Sequence, residues 1–157
     1  MTDIQLSVTT DYALRITLYL LKHKRIIRST ELSEELHIPK TYVLKVTKKL
    51  EGAGIVKSYQ GVNGGIEVLK DAGDIAMWDI IRATESTIMI NRCLENNQSC
   101  YGYGSDECSV KKIYVFLQKA IEERLQAISL KDILTNVKAE EIFSRGLNVD
   151  KCSGSEE

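Results

Sequence analysis

The sequence predicts a mainly α-helical protein with one small β-hairpin and one long helix in its second half. Apolar residues recur at three- and four-residue spacing over several segments, which is the pattern of helices that bury one face. Two short β-prone runs flank a glycine-rich turn containing Asn-Gly, which is typical of a hairpin. With 157 residues, the chain is long enough for one domain with a real core and an appendage.

Composition and charge indicate a globular protein and argue against a membrane-spanning one. With 43% hydrophobic and 27% charged residues the chain is ordinary globular protein, and no apolar run approaches the roughly 18–20 residues of a membrane span. Residues 1–70 carry eleven lysines and arginines against seven acidic residues, whereas residues 71–157 carry ten against fifteen. A basic front half and an acidic rear half suit a nucleic-acid-binding head on a self-associating body, but chance segregation would give the same numbers. The N-terminus lacks the order of a signal peptide, so we expect a cytoplasmic protein.

Three helices are predicted in the first third of the chain, over residues 8–24, 29–36 and 39–52. Thr9 or Thr10 is a suitable N-cap for the first helix, because a hydroxyl can accept a hydrogen bond from a backbone N–H of the first turn. Pro39, the only proline, is expected at the first position of the third helix, where its missing N–H has no consequence. Two short helices joined by a brief turn, after a preceding helix, indicate a helix-turn-helix.

The third predicted helix has a lysine-rich face opposite its apolar stripe. Lysines and a hydroxyl near the start of the second helix of such a motif suit phosphate contacts and limited base contact. The alternative is a solvated lysine face on an ordinary core helix. The residues of this helix that we expect to contact double-stranded DNA are Lys40, Thr41, Tyr42, Lys45 and Lys48.

A β-hairpin is predicted directly after the helix-turn-helix, with β-prone runs at residues 55–59 and 66–69. The connecting sequence GVNGG contains the strong Asn-Gly turn signal. A β-hairpin that directly follows a helix-turn-helix is called a wing. Glycines let the tip of the wing approach a phosphate backbone or a narrow groove. We therefore expect Asn63, Gly64 and Gly65 at the DNA, although an ordinary surface hairpin would have the same turn.

The second half of the chain contains a long amphipathic helix. A short helix that packs through Trp78 is predicted over residues 75–84, and the long helix over residues 109–129, with a short helix near 130–135 after it. A long striped helix in a small protein commonly pairs with its copy, which predicts a homodimer. The stripe residues expected in the dimer interface are Val110, Ile113, Tyr114, Leu117, Ile121 and Leu125.

This order divides the chain into four parts. Residues 1–72 form the winged helix-turn-helix, 73–108 a linking helix and cysteine loop, 109–136 the dimerisation helix with a short cap helix, and 137–157 a partly disordered tail.

Three of the four cysteines lie in a loop whose glycines, asparagines and serines disfavour a helix. Cys93, Cys100 and Cys108 are separated by six and seven residues. In a reducing cytosol, clustered cysteines indicate metal, cluster or redox chemistry more than structural disulfides. The residues leave four interpretations open: an iron–sulfur cluster, a reversible disulfide between Cys100 and Cys108, a zinc site without the usual C-x₂₋₄-C spacing, or structural thiols. Cys152, in the polar tail, is expected to be inert.

Several stretches in this order resemble one family: LSVTTDYALRITLYLL, IPKTYVLKVTKKLEGAGIVKS, VNGGIEVLK, MWDIIRATE and the three-cysteine loop. They resemble the winged-helix bacterial repressors that include the iron–sulfur regulator IscR and the nitric-oxide-responsive NsrR, over roughly residues 5–135. The resemblance implies a homodimer with crossed long helices that binds a two-fold symmetric DNA operator. It also implies that Cys93, Cys100 and Cys108 hold an iron–sulfur cluster, 4Fe–4S in preference to 2Fe–2S, because thiolates are the soft donors that cluster iron prefers.

The resemblance also implies a fourth ligand to the cluster. One branch of the family uses a histidine three residues after the last cysteine, and this chain has Lys111 there. Another branch, that of NsrR, takes an aspartate from the first helix of the partner subunit, within a T-D-x-A-L-R run. The matching run here contains Asp11, which completes the expected metal site.

The sequence departs from the family at three places. Leu44 stands where an acidic base-reading residue is common, and Gln60 where an arginine is common before the wing. The cysteine spacings are longer than the usual five residues. Operator sequence and cluster type therefore do not carry over.

An enzyme is not predicted, because the sequence shows no nucleophile–base arrangement, phosphate loop or pair of catalytic carboxylates. The main prediction is a DNA-binding transcriptional repressor that senses nitric oxide, redox state or iron–sulfur supply. A cluster-free thiol switch on the same fold and a winged-helix protein-interaction module are the alternatives.

Overall fold

Residues 5–95 and 108–145 are described by a computed structural model. The helices are α1 (Val8–His23), α2 (Ser29–Leu36), α3 (Lys40–Gly52), α4 (Met77–Thr84), α5 (Ser109–Ala127), α6 (Leu130–Leu134) and α7 (Ala139–Arg145), and the strands are β1 (Val56–Tyr59) and β2 (Gly65–Val68). Short 3₁₀ turns lie at Ala72–Asp74 and Arg92–Leu94. The predicted fold class, mainly α with a small β-hairpin wing, is confirmed.

One apolar core lies between α1, α2, α3, α4, the hairpin and the start of α6. Helix α1 is central to it, since α1 contacts α2, α3, α4, α6 and β2. Burial of apolar side chains is the main favourable term in folding, so these contacts fix how the helices are arranged. The most deeply buried leucines and isoleucines are Ile16, Leu20, Ile27, Leu32, Ile38, Leu50, Ile55, Ile75, Ile80, Ile81 and Leu130.

The start of α1 differs from the prediction, because Ser7 and not Thr9 or Thr10 is its N-cap. The Ser7 Oγ accepts a hydrogen bond from the Thr10 N–H at 3.4 Å. Thr10 is fully buried, and its hydroxyl is bonded to Thr84 and Glu85 instead. Ser7, Thr9 and Thr10 all satisfy the local rule for a cap, and only tertiary partners distinguish between them.

The turn between α2 and α3 is tight. His37 takes the left-handed conformation, with φ of 52°, and Ile38 is buried beneath the turn. Pro39 occupies the N-cap of α3 and not the first helical position that the sequence predicts. The Pro39 carbonyl accepts hydrogen bonds from the backbone of Tyr42 and Val43, at 2.8 and 3.1 Å, which starts the helix.

The wing is an antiparallel pair in which Val56 lies opposite Val68 and Tyr59 opposite Gly65. Ile27, just before α2, bridges to Ile66 on the outer side of β2, so the hairpin is attached to the helical core. The Gly64 N–H donates to the Gly61 carbonyl at 3.0 Å and closes the tip.

The linking segment returns to the core by a short β-like contact. The Met77 N–H donates to the Ile128 carbonyl at 2.8 Å, and the Leu130 N–H donates to the Ile75 carbonyl at 2.9 Å. This pairing keeps the backbone extended at Ala76, so α4 starts at Met77 and not at residue 75 as predicted. Burial of Leu130 fixes the end of α5 against the same core.

Helix α7 lies in the segment that the sequence assigns to the tail. Ile142 is buried, and the Arg124 guanidinium of α5 donates to the Phe143 carbonyl at 2.6 Å and lies over the Phe143 ring. A seven-residue helix with one buried isoleucine has too short a periodic pattern to be recognised, and its contacts with α5 form only in the folded chain. Residues 146–157, including Cys152, lie outside the described ranges.

No helix within the described ranges is both long and apolar enough to cross a membrane.

Gly65 is expected to be required for stability, because a Cβ there would lie 2.7 Å from the Ile27 carbonyl oxygen. Gly65→Ala should lower the free energy of unfolding by about 1–3 kcal/mol, as overpacking commonly does. The control is Gly52→Ala at the end of α3, where a Cβ meets nothing within 4 Å and alanine favours helix. Urea denaturation checks both variants. Equal stability of Gly65→Ala and the parent would contradict the close contact between the wing and residue 27.

Candidate nucleic-acid interface and metal centre

Helix α3 presents one charged face to solvent and buries the other. Val43, Val46 and Leu50 are fully buried. The five residues that the sequence predicts to contact DNA are all exposed on α3: Lys40, Thr41, Tyr42, Lys45 and Lys48. We call these five residues, three of which are lysines, the α3 lysine face.

Aromatic and cationic side chains connect α1 to this face. The rings of Tyr12 and Tyr42 meet edge to face, with 5.7 Å between their centres. The Arg15 guanidinium lies 5.9 Å from the Tyr12 ring centre, and the Lys45 ammonium 5.7 Å from that of Tyr42. Cations are attracted to aromatic faces, so this row holds Tyr42 and Lys45 in position relative to α1.

Asp11 lies in the first turn of α1, with 63% of its side chain exposed. Its carboxylate is 3.6 Å from the Arg15 guanidinium, one helical turn later. Arg15 in turn donates a hydrogen bond to the Leu36 carbonyl at the end of α2. Asp11 is therefore two contacts away from the turn of the helix-turn-helix.

At the wing, the predicted residues divide into two groups. Asn63 is exposed at the tip, whereas Gly64 and Gly65 are half-buried. A Cβ on Gly64 would lie 2.3 Å from the Tyr59 carbonyl oxygen, so this glycine is needed for the wing's own packing, whatever its role at DNA. Arg28 was not among the predicted residues; its guanidinium donates to the Val62 carbonyl at 2.9 Å and ties the tip to the start of α2.

A partly buried polar cluster, which we call the Thr10–Glu85 network, joins three elements. The Thr10 hydroxyl is 2.7 Å from the Thr84 hydroxyl and also donates to the Glu85 carboxylate, which accepts the Ser7 N–H at 2.8 Å. The Lys49 ammonium of α3 donates to the Thr84 carbonyl at 2.6 Å. The network links the start of α1, the last turn of α3 and the residues that lead towards the cysteine loop.

The network also changes the acidity of Glu85. Burial acts to raise the pKa of this carboxyl, but hydrogen bonds from Thr10 and Ser7 and the positive charge of Lys49 favour the ionised form. The net result is a pKa below the ordinary value of a glutamate.

Two of the three loop cysteines lie in the described residues. Cys93 is in the 3₁₀ turn after α4, and Cys108 directly precedes α5. Both are unpaired, partly buried thiols. Cys100 lies outside the described residues. Among residues 5–95 and 108–145, no three His, Cys, Asp or Glu side chains are grouped so that they could hold a metal, so Asp11 does not join Cys93 and Cys108 within one chain.

Gln118 on α5 holds the segment before Cys93 and was also missed by the sequence analysis. Its side-chain amide donates to the Ile88 carbonyl at 3.0 Å, and its amide oxygen accepts the Ile90 N–H at 2.9 Å. Among the described residues of α5, Gln118 is the buried one. A glutamine inside an apolar stripe is the sequence signal for such a clamp.

The six residues predicted for the dimer interface lie on two sides of α5. Val110, Ile113, Leu117 and Ile121 are exposed, whereas Tyr114 and Leu125 are half-buried against the same chain. Phe116, which the prediction left out, has 73% of its surface exposed. Ile121 and Leu125 also line a cavity of about 960 Å³ together with Trp78 and Cys93.

Comparison with known proteins decides the class. Residues 6–136 match the model of the Rrf2 family, described as iron-dependent transcriptional regulator. The chain belongs to the Rrf2 family. The HTH-type transcriptional regulator NsrR of Halalkalibacterium halodurans is 30% identical over 135 residues, covering 85% of this chain and 92% of the relative. NsrR of Shouchella clausii is 27% identical over 136 residues, or 85% and 90% of the two chains.

Solved structures agree with this fold. IscR of T. potens superposes with a TM-score of 0.67 at 24% identity, over 88% of this chain and 91% of that one. CymR, the global cysteine regulator of B. subtilis, gives a TM-score of 0.67 at 22% identity, over 87% and 100%. An oxidised form of Staphylococcus aureus CymR gives 0.64 at 22%, over 86% and 99%.

Membership in the Rrf2 family makes the chain a transcriptional regulator and not an enzyme. The resemblance drawn from the sequence is thereby confirmed at the level of the family and the fold.

The Thr10–Glu85 network is expected to stabilise the fold in a pH-dependent way. Because the pKa of folded Glu85 lies below its ordinary value of 4.5, its stabilisation is complete above that pH and is lost as the pH falls through the lower, folded value. At pH 7, Glu85→Gln should lower the free energy of unfolding by about 1–2 kcal/mol, since hydrogen bonds to a carboxylate are weakened.

Urea denaturation at a series of pH values measures this difference. The parent and Glu85→Gln should converge as the pH falls below 4.5. Glu34→Gln, the same charge change at an exposed position on α2, is the control and should show a small, pH-insensitive effect. A constant difference between the parent and Glu85→Gln at all pH values would remove the carboxylate charge from the explanation.

Proposed function

We propose that this Rrf2 protein is a homodimeric transcriptional repressor whose operator binding is controlled by an iron–sulfur cluster sensing nitric oxide, redox state or iron–sulfur supply. The observation that carries the proposal is the position of Asp11. Its exposed carboxylate is bonded to Arg15, which holds the Leu36 carbonyl at the end of α2. A ligand change at Asp11 therefore acts directly on the DNA-binding motif.

The α3 lysine face is the surface proposed to meet the DNA. Lysines at three helical positions supply charge for phosphates, and Thr41 and Tyr42 supply polar groups between them. Asn63 at the exposed wing tip would contact an adjacent groove, with Gly64 and Gly65 keeping the tip narrow. Dimer symmetry would place two such faces about one helical turn of DNA apart.

The outer face of α5 is proposed to form the dimer. Its exposed apolar side chains include Ile113, Phe116 and Leu117, and such a row is expected to be covered in the working protein. The four-part division with boundaries after residues 72, 108 and 136 stays a prediction. The structure adds that Gln118 of α5 binds the segment before Cys93, so the opposite, exposed side of α5 is the one proposed to face the partner.

Cys93, Cys100 and Cys108, with Asp11 of the partner subunit, are proposed to hold the cluster. Cys93 and Cys108 suit this role because both are unpaired thiols that bracket the loop carrying Cys100. Three thiolates and one carboxylate form a donor set with one weaker position, since a carboxylate is the harder ligand for iron. When bound, the cluster supplies an iron centre that nitric oxide or oxidation can alter.

The response in the chain itself follows from the two partners available to Asp11. Bonded to Arg15, the carboxylate steadies the guanidinium that holds Leu36 and lies over Tyr12. When the Asp11 carboxylate instead binds the cluster of the partner subunit, Arg15 keeps only its contacts to Leu36 and Tyr12. Exposed ion pairs contribute about 0–1 kcal/mol, so the exchange between these two states is easily driven.

A cluster-free thiol switch is the second candidate. It is favoured by the partial exposure of both described loop cysteines, and a solved neighbour of the same fold, Staphylococcus aureus CymR, has an oxidised form. In this alternative, oxidation joins Cys100 and Cys108 in a disulfide, and reduction returns both cysteines to free thiols.

The α3 lysine face is expected to determine the salt dependence of DNA binding. If Lys45 and Lys48 each contact a phosphate, replacing both by alanine should flatten the slope of log affinity against log salt by about two units per half-site. Fluorescence anisotropy with a labelled duplex at several salt concentrations measures it. Lys131→Ala with Lys138→Ala removes two exposed lysines outside the motif and serves as control. An unchanged slope in the Lys45 and Lys48 variant would take these residues out of the interface.

The proposed ligands are tested by anaerobic reconstitution with iron and sulfide. Cys100→Ala should lose the visible absorbance almost completely. Asp11→Ala should keep a cluster but change its spectrum and its rate of reaction with nitric oxide. Asp71→Ala, an exposed carboxylate elsewhere, is the control.

Two results would change the conclusion. If Asp11→Ala matches the parent in both spectrum and rate, the aspartate is not a ligand. If the parent stays colourless while its DNA binding responds to oxidant and recovers with dithiothreitol, the thiol switch is the correct function.

A further inference from the structure

We propose that Leu44 reads the 5-methyl group of a thymine in the major groove and is a specificity-determining residue of this regulator. The inference rests on the proposed contact between α3 and DNA. Leu44 was not among the residues predicted to contact DNA, and it stands where the related repressors commonly have an acidic base-reading residue, so a leucine there needs a different chemistry of recognition.

Leu44 lies within the α3 lysine face. It is 53% exposed, whereas the adjacent residue Val43 is fully buried. Residues three and four positions apart are neighbours on a helix surface, so Leu44 is flanked by Lys40 and Thr41 on one side and Lys48 on the other. The leucine is therefore an apolar spot surrounded by cationic and hydroxyl groups.

A single exposed leucine is common on protein surfaces and usually needs no explanation. This one differs because of its surroundings. Lysines around it are suited to phosphates, and a leucine gains nothing from a phosphate. A helix held against DNA by its lysines would bring the side chain between them towards the base edges of the groove.

The chemistry of the base edges then limits what Leu44 can recognise. Leucine has no donor or acceptor, so it cannot distinguish bases by hydrogen bonds. In the major groove the apolar group on a standard base edge is the 5-methyl of thymine. Contact between that methyl and Leu44 removes apolar surface of both from water, whereas any other base would place a polar edge against the leucine.

The size of the effect follows from the burial of one methyl group. Removing one buried methyl changes affinity by about fourfold, and two symmetric half-sites give about fifteenfold. The lysines would supply most of the affinity with little regard to sequence, and Leu44 would add a preference at one position in each half-site.

The experiment starts from duplexes selected out of a random pool by the full-length protein. Thymine should be enriched at one position per half-site with the parent, and this enrichment should disappear with Leu44→Ala while the rest of the selected site persists. Leu44 is exposed and alanine favours helix, so the variant should fold normally. Leu69→Ala, with a leucine that is 52% exposed after β2, is the control.

The methyl group is then tested directly. Replacing that thymine by uracil in both half-sites should weaken binding of the parent about fifteenfold and leave Leu44→Ala nearly unaffected. A duplex with 5-methylcytosine at the position should bind the parent more tightly than one with cytosine. Uracil binding as well as thymine at every enriched position would overturn the proposal.

Failure of this inference is distinguishable from failure of the proposed function. Salt-dependent binding that weakens in the Lys45 and Lys48 variant, without any effect of the methyl group, would reject the role of Leu44 alone. If no duplex is selected, the DNA-binding role and the role of Leu44 are both rejected.

Discussion

The half-buried carboxylate of Glu85 is the contact on which the relation between the cysteine-containing segment and the helix-turn-helix depends. It accepts hydrogen bonds from the first residues of α1, while the adjacent Thr84 binds Lys49 at the end of α3. Buried polar groups must be paired, and among the described residues every buried side-chain polar atom has a partner. The end of α4, where the chain turns towards Cys93, is thereby held in one position relative to both helices.

Two polar contacts of unequal burial therefore involve the first turns of α1. The two threonines of the Thr10–Glu85 network are buried, and leaving their hydroxyls unpaired would be costly. The ion pair between Asp11 and Arg15 is exposed on both side chains and contributes little. A regulatory change has to break a contact at low energetic cost. The exposed ion pair between Asp11 and Arg15 is therefore the contact suited to an exchange of partners. In the proposed switch, the Thr10–Glu85 network would keep the rest of the motif intact while that exchange occurs.

The sequence predicted what depends on local pattern and missed what depends on distant partners. Periodic apolar residues gave α1, α3 and α5 to within two residues, and Asn-Gly gave the hairpin. The cap of α1 was wrong because Thr10 has partners some 75 residues later in the chain. Arg28 was missed because it binds a backbone group of another element, which no spacing rule reveals. Gln118 stands out as a glutamine inside an apolar stripe, but the backbone groups it binds are visible only in the folded chain. The exposed lysines of α3 were predictable, since a face opposite an apolar stripe is fixed by helical geometry alone.

The proposed sensor is complete only when two chains pair. In one chain Asp11 does not join the two described cysteines, and Cys108 directly precedes the helix proposed to form the dimer. A ligand supplied within one chain would alter a single head and change its affinity for one half-site. A ligand supplied across the dimer instead ties the position of one head to the other subunit, because Asp11 is two contacts from the helix-turn-helix. In the proposed dimer, losing this ligand would change the distance between the two α3 helices. An operator with two half-sites at fixed separation would then lose its fit to both helices at once.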